Sequence, residues 1–152
     1  MAELISRFTN EARHVFALAQ EYAARHNQNE IGTEHLLVAL LEDKSSEASQ
    51  AVATLGVDPK AVEDLVAREG GSKLNGSNKE LELSQEVKDV IQAAILEAQR
   101  KNFAYVGTKE LLLALVQQDS NAAIAVLNQA GAQPQMFRQT VREMLADDVA
   151  GV

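Results

Sequence analysis

The chain contains no cysteine. Disulfides, thiolate nucleophiles and cysteine-ligated zinc are therefore excluded. Tryptophan is also absent, and aromatic residues make up only 4% of the sequence. A core must then be built from Ala, Leu, Val and Ile, which suits packed helices. Positive charge is scarce as well: 14 Lys and Arg stand against 22 Asp and Glu, a formal net charge of −8. Such a chain repels phosphate backbones, so nucleic acid is not an expected partner and cationic partners are favoured. No apolar run approaches the ~18 residues of a membrane span. The opening residues, Met1 to Arg7, lack the positive stretch and apolar run of a secretory leader. The default expectation is a cytoplasmic location with no membrane partner.

Catalytic signatures are missing too. His14, His26 and His35 form no metal-binding pair, and Glu34-His35 is not part of an H-E-x-x-H element, so no metal and no cofactor are expected. No Gly-x-Ser-x-Gly element marks a nucleophile. No G-x-x-x-x-G-K-[ST] loop marks a nucleotide site. The chain reads as a binding protein and not an enzyme. The acidic groups Glu80/Glu82 and Asp147/Asp148 read as solvated surface.

The 152 residues, 46% of them hydrophobic, are enough for one globular domain. Its strongest internal signal is a repeat. Ile31-Gly32-Thr33 recurs as Val106-Gly107-Thr108, an offset of 75 (106 − 31) that also carries Leu36-Leu37 to Leu111-Leu112, Gly56 to Gly131 and Pro59 to Pro134. Residues 9–66 align with 84–141 without a gap, with 17 of 58 positions identical. This is the pattern of two copies of one unit. Repeat one spans about 8–69, a Gly- and Ser-rich linker about 70–82, and repeat two about 83–146, all within a single domain of residues 1–152.

Each copy divides into four helices. The first is expected over about Asn10–His26, with Thr9 as cap and Phe8, Ala12, Val15, Phe16, Ala19 and Ala23 at helical spacing on one face. The second follows Gly32, with Thr33 as cap and Leu36, Leu37, Leu40 and Leu41 in the core. The third runs from about Glu47 to Leu55 and ends at Gly56. The fourth starts with Asp58 and Pro59. Repeat two follows the same plan, with Ser84 and Thr108 as caps, Gly131 as a stop and Pro134 as a start. No period-2 alternation of useful length occurs, so no strand is expected. The predicted fold is all-α: eight helices in two pseudo-symmetric four-helix repeats. The tail after Leu145 reads as frayed.

Arg7-Phe8-Thr9, Ala12-Arg13, Ala19-Gln20-Glu21, Ile31-Gly32-Thr33-Glu34-His35-Leu36-Leu37 and Leu55-Gly56-Val57 together resemble the N-terminal domain of Clp/Hsp100 AAA+ chaperones, most of all the ClpC type. The resemblance covers roughly Phe8 to Leu145. It implies a double Clp-N domain of eight helices that receives substrates and adaptor proteins on top of an ATPase ring. In ClpC-type members it further implies a reader of phosphorylated arginine and a docking place for cyclic-peptide antibiotics.

A phosphoarginine reader needs a carboxylate for the guanidinium, and hydroxyls and helix N-terminal amides for the phosphate. By resemblance, Thr9 and Glu34 match the family's pocket residues, with Thr33 beside them as a further hydroxyl. Repeat two carries Ser84, Thr108, Lys109 and Glu110. There Lys109 stands where the carboxylate should be, and Glu110, one residue on, is rotated by about 100° around the helix. That second pocket reads as degenerate, leaving one intact half-site. The simpler reading of Thr9, Thr33, Ser84 and Thr108 is helix capping, and of Glu34 a favourable charge in a first turn.

Three functions are open at this stage. The chain is a substrate- or adaptor-binding module of a Clp protease-chaperone system. Or it is a free-standing regulator that sequesters substrates, adaptors or cyclic peptides. Or it is an accessory subunit docking on the Clp peptidase core. It reads either as a piece of a larger chaperone or as a small protein of the same fold.

Overall fold

Apolar periodicity and end signals place eight helices along the chain. The computed structural model describes residues 6–26, 28, 30–43, 46–69, 82–118 and 120–144. The helices are α1 (Asn10–Arg25), α2 (Thr33–Leu41), α3 (Glu47–Thr54), α4 (Pro59–Glu69), α5 (Gln85–Arg100), α6 (Thr108–Gln117), α7 (Ala122–Ala130) and α8 (Pro134–Met144). The all-α double repeat expected from the sequence is the observed architecture. Most of the proposed linker and the whole tail from Leu145 lie outside the described residues.

Local chemistry explains most boundaries. The Thr9 hydroxyl accepts the Ala12 N–H at 3.1 Å, and the Ser84 hydroxyl accepts that of Val87 at 3.2 Å. Each satisfies one of the unpaired amides at a helix start. At the far end of α7, Gly131 sits at φ +103°, the left-handed conformation that glycine reaches without strain.

Two caps differ from expectation. Gly32 and Gly107 are the N-caps of α2 and α6, and Thr33 and Thr108 are the first helical residues. The glycine N–H is met by a side chain three residues on: His35 Nδ1 accepts from Gly32 at 2.9 Å, and Glu110 Oε1 accepts from Gly107 at 2.8 Å. The threonine hydroxyl is then not needed as a cap.

The expectation of no strand is also corrected. β1 (Glu30–Ile31) and β2 (Glu82–Leu83) form a two-residue parallel pair, with Ile31 opposite Leu83. A second parallel bridge joins Phe8 to Val106. The offset of 75 turns one contact into the other. The bonds Ser84 N–H to Ile31 O (3.0 Å) and Thr9 N–H to Val106 O (2.9 Å) are likewise counterparts. The pairing is thus the pseudo-two-fold seam of the repeat. It takes Glu82 out of the linker. Two residues per strand give no readable alternation, which is why the sequence did not show it.

α2 and α6 run through the centre. Every residue of α2 except Glu34 is buried, and so is α6 from Glu110 to Val116. Leu36, Leu37, Leu111 and Leu112 are among the least exposed side chains of the core. Truncating one to Ala typically costs about 2–5 kcal/mol. α1 packs on α2 and α5 on α6, while α3 packs on α8 and α4 on α7. The last two contacts cross between repeats, so the two copies interlock.

Candidate functional site

The seam decides which candidate residues meet. Because Leu83 pairs with Ile31, the start of α5 lies against the start of α2. Ser84 and Glu34, from different repeats, line one pocket of about 430 Å³ together with Gly32 and His35. Thr9 is not among its lining residues. Thr9 is held instead at the other half of the seam: its N–H bonds Val106, and a Cβ built on Gly107 would lie 3.9 Å from its Cγ2. The sequence had grouped Thr9 with Glu34 inside repeat one. The structure regroups them across repeats, Ser84 with Glu34 and Thr9 with the Gly107-Thr108 turn.

Thr33 is corrected as a ligand hydroxyl. It is fully buried, and its Oγ1 accepts the Ala123 N–H at 3.1 Å, which anchors α7 to α2. Thr108 is half-buried and faces a groove with α1 residues. Glu110 is buried and folded back on Gly107, with Lys101 Nζ 3.9 Å from its other oxygen. It is therefore a capping residue held inside the fold. Lys109 is half-buried at the position equivalent to Glu34.

The Glu34 carboxylate lies over Gly32, in the space a Cβ at that position would need. Glycine lets the acid fold back across the helix start. Exposed Glu30, Glu82 and Glu86 stand around the same pocket, and no Lys or Arg lines it among the described residues. Its field therefore draws a cation in, while the first-turn amides of α2 and α5 present partial positive charge. Burial, and then the charge of His26, hold the His35 imidazole well down, at about pKa 4, so it is neutral and able to accept the Gly32 N–H near pH 7.

Sequence reasoning missed two neighbours of this site. Ala122, at the start of α7, closes one wall. Gln28, ahead of β1, closes another. Neither carries a motif. Among the described residues, no three His, Asp or Glu side chains gather as metal ligands, and no helix is long and apolar enough to cross a membrane.

The comparisons with known proteins agree with this architecture. The family model described as "Clp repeat (R) N-terminal domain" matches residues 7–130 and 82–149. The chain is 34% identical over 152 residues to the negative regulator of genetic competence ClpC/MecB of Bacillus subtilis, covering 97% of this chain and 18% of that protein. It thus spans about a sixth of the length of such relatives. Among solved structures, the Hsp104 N-terminal domain from Candida albicans superposes with a TM-score of 0.75 at 20% identity, covering 90% of each chain. A complex of the ClpV N-domain with a VipB peptide gives 0.71 at 17% identity, covering 99% of this chain and 93% of that one. The chain belongs to the Clp repeat N-terminal domain family.

Proposed function

We propose that this chain is a non-catalytic binding module that receives polypeptide segments for a Clp-type ATPase, and that the Glu34–Ser84 pocket holds a phosphorylated arginine side chain. The observation that carries the reading is the meeting of a carboxylate and a hydroxyl in one pocket at two helix starts. Glu34 supplies paired acceptors for the guanidinium. The Ser84 hydroxyl and the first amides of α2 and α5 supply donors for the phosphate. The ClpV N-domain, which shares this fold, is solved with a peptide bound. That supports a peptide as the class of ligand.

The test is calorimetric titration with a phosphoarginine peptide. One site per chain is expected, removed by Glu34→Ala and weakened by Ser84→Ala. Losing a carboxylate opposite a guanidinium typically costs about 2–5 kcal/mol, roughly 30- to several-thousand-fold in affinity. Binding unchanged by Glu34→Ala would overturn the pocket assignment. Absence of binding would shift the function to docking of whole protein surfaces.

A further inference from the structure

Three helix starts meet at the Glu34 pocket. Glu34 comes from α2, Ser84 and Glu86 from the start of α5, and Ala122 from α7. Two of the joints between them lie at the pocket itself. The Ser84 N–H bonds Ile31 O at 3.0 Å across the seam, which ties α5 to α2. The Ala123 N–H bonds the Thr33 hydroxyl at 3.1 Å, which ties α7 to α2. The third joint, between α5 and α7, runs through one side chain. Gln118, the C-cap of α6, donates from Nε2 to Glu86 O at 3.2 Å, and its Oε1 accepts from Asn121 Nδ2 at 2.8 Å. Asn121 is the N-cap of α7 and precedes Ala122 in the chain. These hydrogen bonds close a ring around the pocket.

A primary amide makes this joint because it donates from one end and accepts at the other. The joint is braced from behind. Arg138 of α8 donates to Val116 O at 2.5 Å and to Gln118 O at 2.7 Å, where a cation suits the end of α6. Asn121 Nδ2 also donates to Leu115 O at 3.1 Å. The other repeat is built differently here. The offset of 75 places Glu11, Asp43, Ser46 and Glu63 where repeat two has Glu86, Gln118, Asn121 and Arg138. A carboxylate at 43 accepts hydrogen bonds and does not donate one to Glu11 O. The one hydroxyl hydrogen of Ser46 is directed to Leu40 O at 3.0 Å. In that place Glu11, Asp43 and Ser46 line a groove of about 690 Å³.

We infer that Gln118, which is not among the residues lining the Glu34 pocket, is its positioning residue: it fixes the start of α5, with the Ser84 hydroxyl, relative to the start of α7 and so to Glu34. This rests on the reading of that pocket as a phosphoarginine site and adds the residue that holds its shape. Gln118 is half-buried, so the loss of its amide bears on the local geometry of the pocket more than on the global fold.

The test compares the whole wild-type chain with Gln118→Met, which is close in size and lacks the amide, and with Gln118→Glu, which keeps the acceptor for Asn121 and loses the donor to Glu86. Backbone hydrogen exchange needs no ligand: the Val87 and Ala123 amides, one at each wall, should exchange about tenfold faster in both variants. Calorimetric titration with N-acetyl-phosphoarginine N-methylamide should give about fivefold weaker binding, the effect of one hydrogen bond, while the thermal midpoint moves by less than about 5 °C. In a Ser84→Ala background, Gln118→Met should weaken binding no further, because the hydroxyl it positions is gone. A full additive loss there would show a merely structural role. Unchanged exchange, or unchanged affinity beside a clear loss in Glu34→Ala, would overturn the inference and leave the pocket standing. Absence of binding to the wild type, or binding untouched by Glu34→Ala, would overturn the pocket reading and this inference with it.

Discussion

His35 and Glu110 do the same work in the two halves of the fold. Each is the third residue of a central helix, and each takes the N–H of the glycine before that helix, at 2.9 Å from Gly32 and 2.8 Å from Gly107. One acceptor is an imidazole and the other is a carboxylate. Their neighbours differ in step: His26, beside His35, corresponds to Lys101, beside Glu110.

This difference predicts an acid sensitivity seated in repeat one. The His35 pKa falls from 6.5 to about 4 on folding, through burial first and then His26. The unfolded chain therefore binds a proton that the folded chain refuses. The contribution is complete above about pH 6.5 and is lost as pH falls towards 4, to a total of about 3 kcal/mol. An imidazolium has no lone pair left for the Gly32 N–H. Urea midpoints from pH 7.5 to 4.5 should fall in the wild type and fall less in His35→Gln, whose amide oxygen accepts without titrating. An equal slope in both would place the sensitivity elsewhere.

Most helix ends were legible because their causes are local. Thr9, Ser84, Pro59, Pro134 and Gly131 each act within a few residues of where they stand. Thr33 misled because its hydrogen-bond partner, Ala123, is 90 residues away. The candidate pocket was half legible for a similar reason. A gapless repeat states which residues are equivalent, Glu34 with Lys109 and Thr9 with Ser84. It does not state whether a helix start packs within its own copy or against the other. The seam at Ile31–Leu83 decides that, and two-residue strands leave no pattern to read.

Lys101 and Glu110 should behave as a coupled buried pair. Lys101 Nζ is buried without a hydrogen bond, 3.9 Å from a carboxylate that is itself buried. Lys101→Met leaves that carboxylate without its counter-charge and should cost about 1–3 kcal/mol. Adding Glu110→Gln removes the charge but keeps an acceptor for Gly107. The double variant should return to within about 1 kcal/mol of wild type. Additive losses in chemical denaturation would show that the two groups do not interact.

Gly32→Ala should separate stability from binding. Its φ of −99° suits alanine, and the new Cβ meets the far end of the Glu34 side chain, which can swing away. The fold should lose no more than about 1 kcal/mol. The carboxylate, however, is pushed from its place in the pocket. Phosphoarginine affinity should drop severalfold with little change in thermal midpoint. A large drop in midpoint with affinity intact would refute the link between Gly32 and Glu34.

Lys109 offers the sharpest test of the seam. It occupies the position of Glu34 at the start of α6, so Lys109→Glu installs the missing carboxylate of the second half-site. The hydroxyl next to that turn belongs to Thr9 of repeat one, not to Ser84. The substituted chain should therefore bind phosphoarginine twice. Thr9→Ala should then weaken the new site alone, and Ser84→Ala the original site alone. Both alanines also remove an N-cap, worth about 1 kcal/mol, so each titration is read beside a thermal midpoint. Within-repeat sites would give the opposite crossing, with Thr9→Ala acting on the Glu34 site. That result would show that the hydroxyl across the seam plays no part in holding the ligand. The swapped pattern, with both folds intact, would show that each pocket is assembled from both copies, and that a single repeat on its own holds neither.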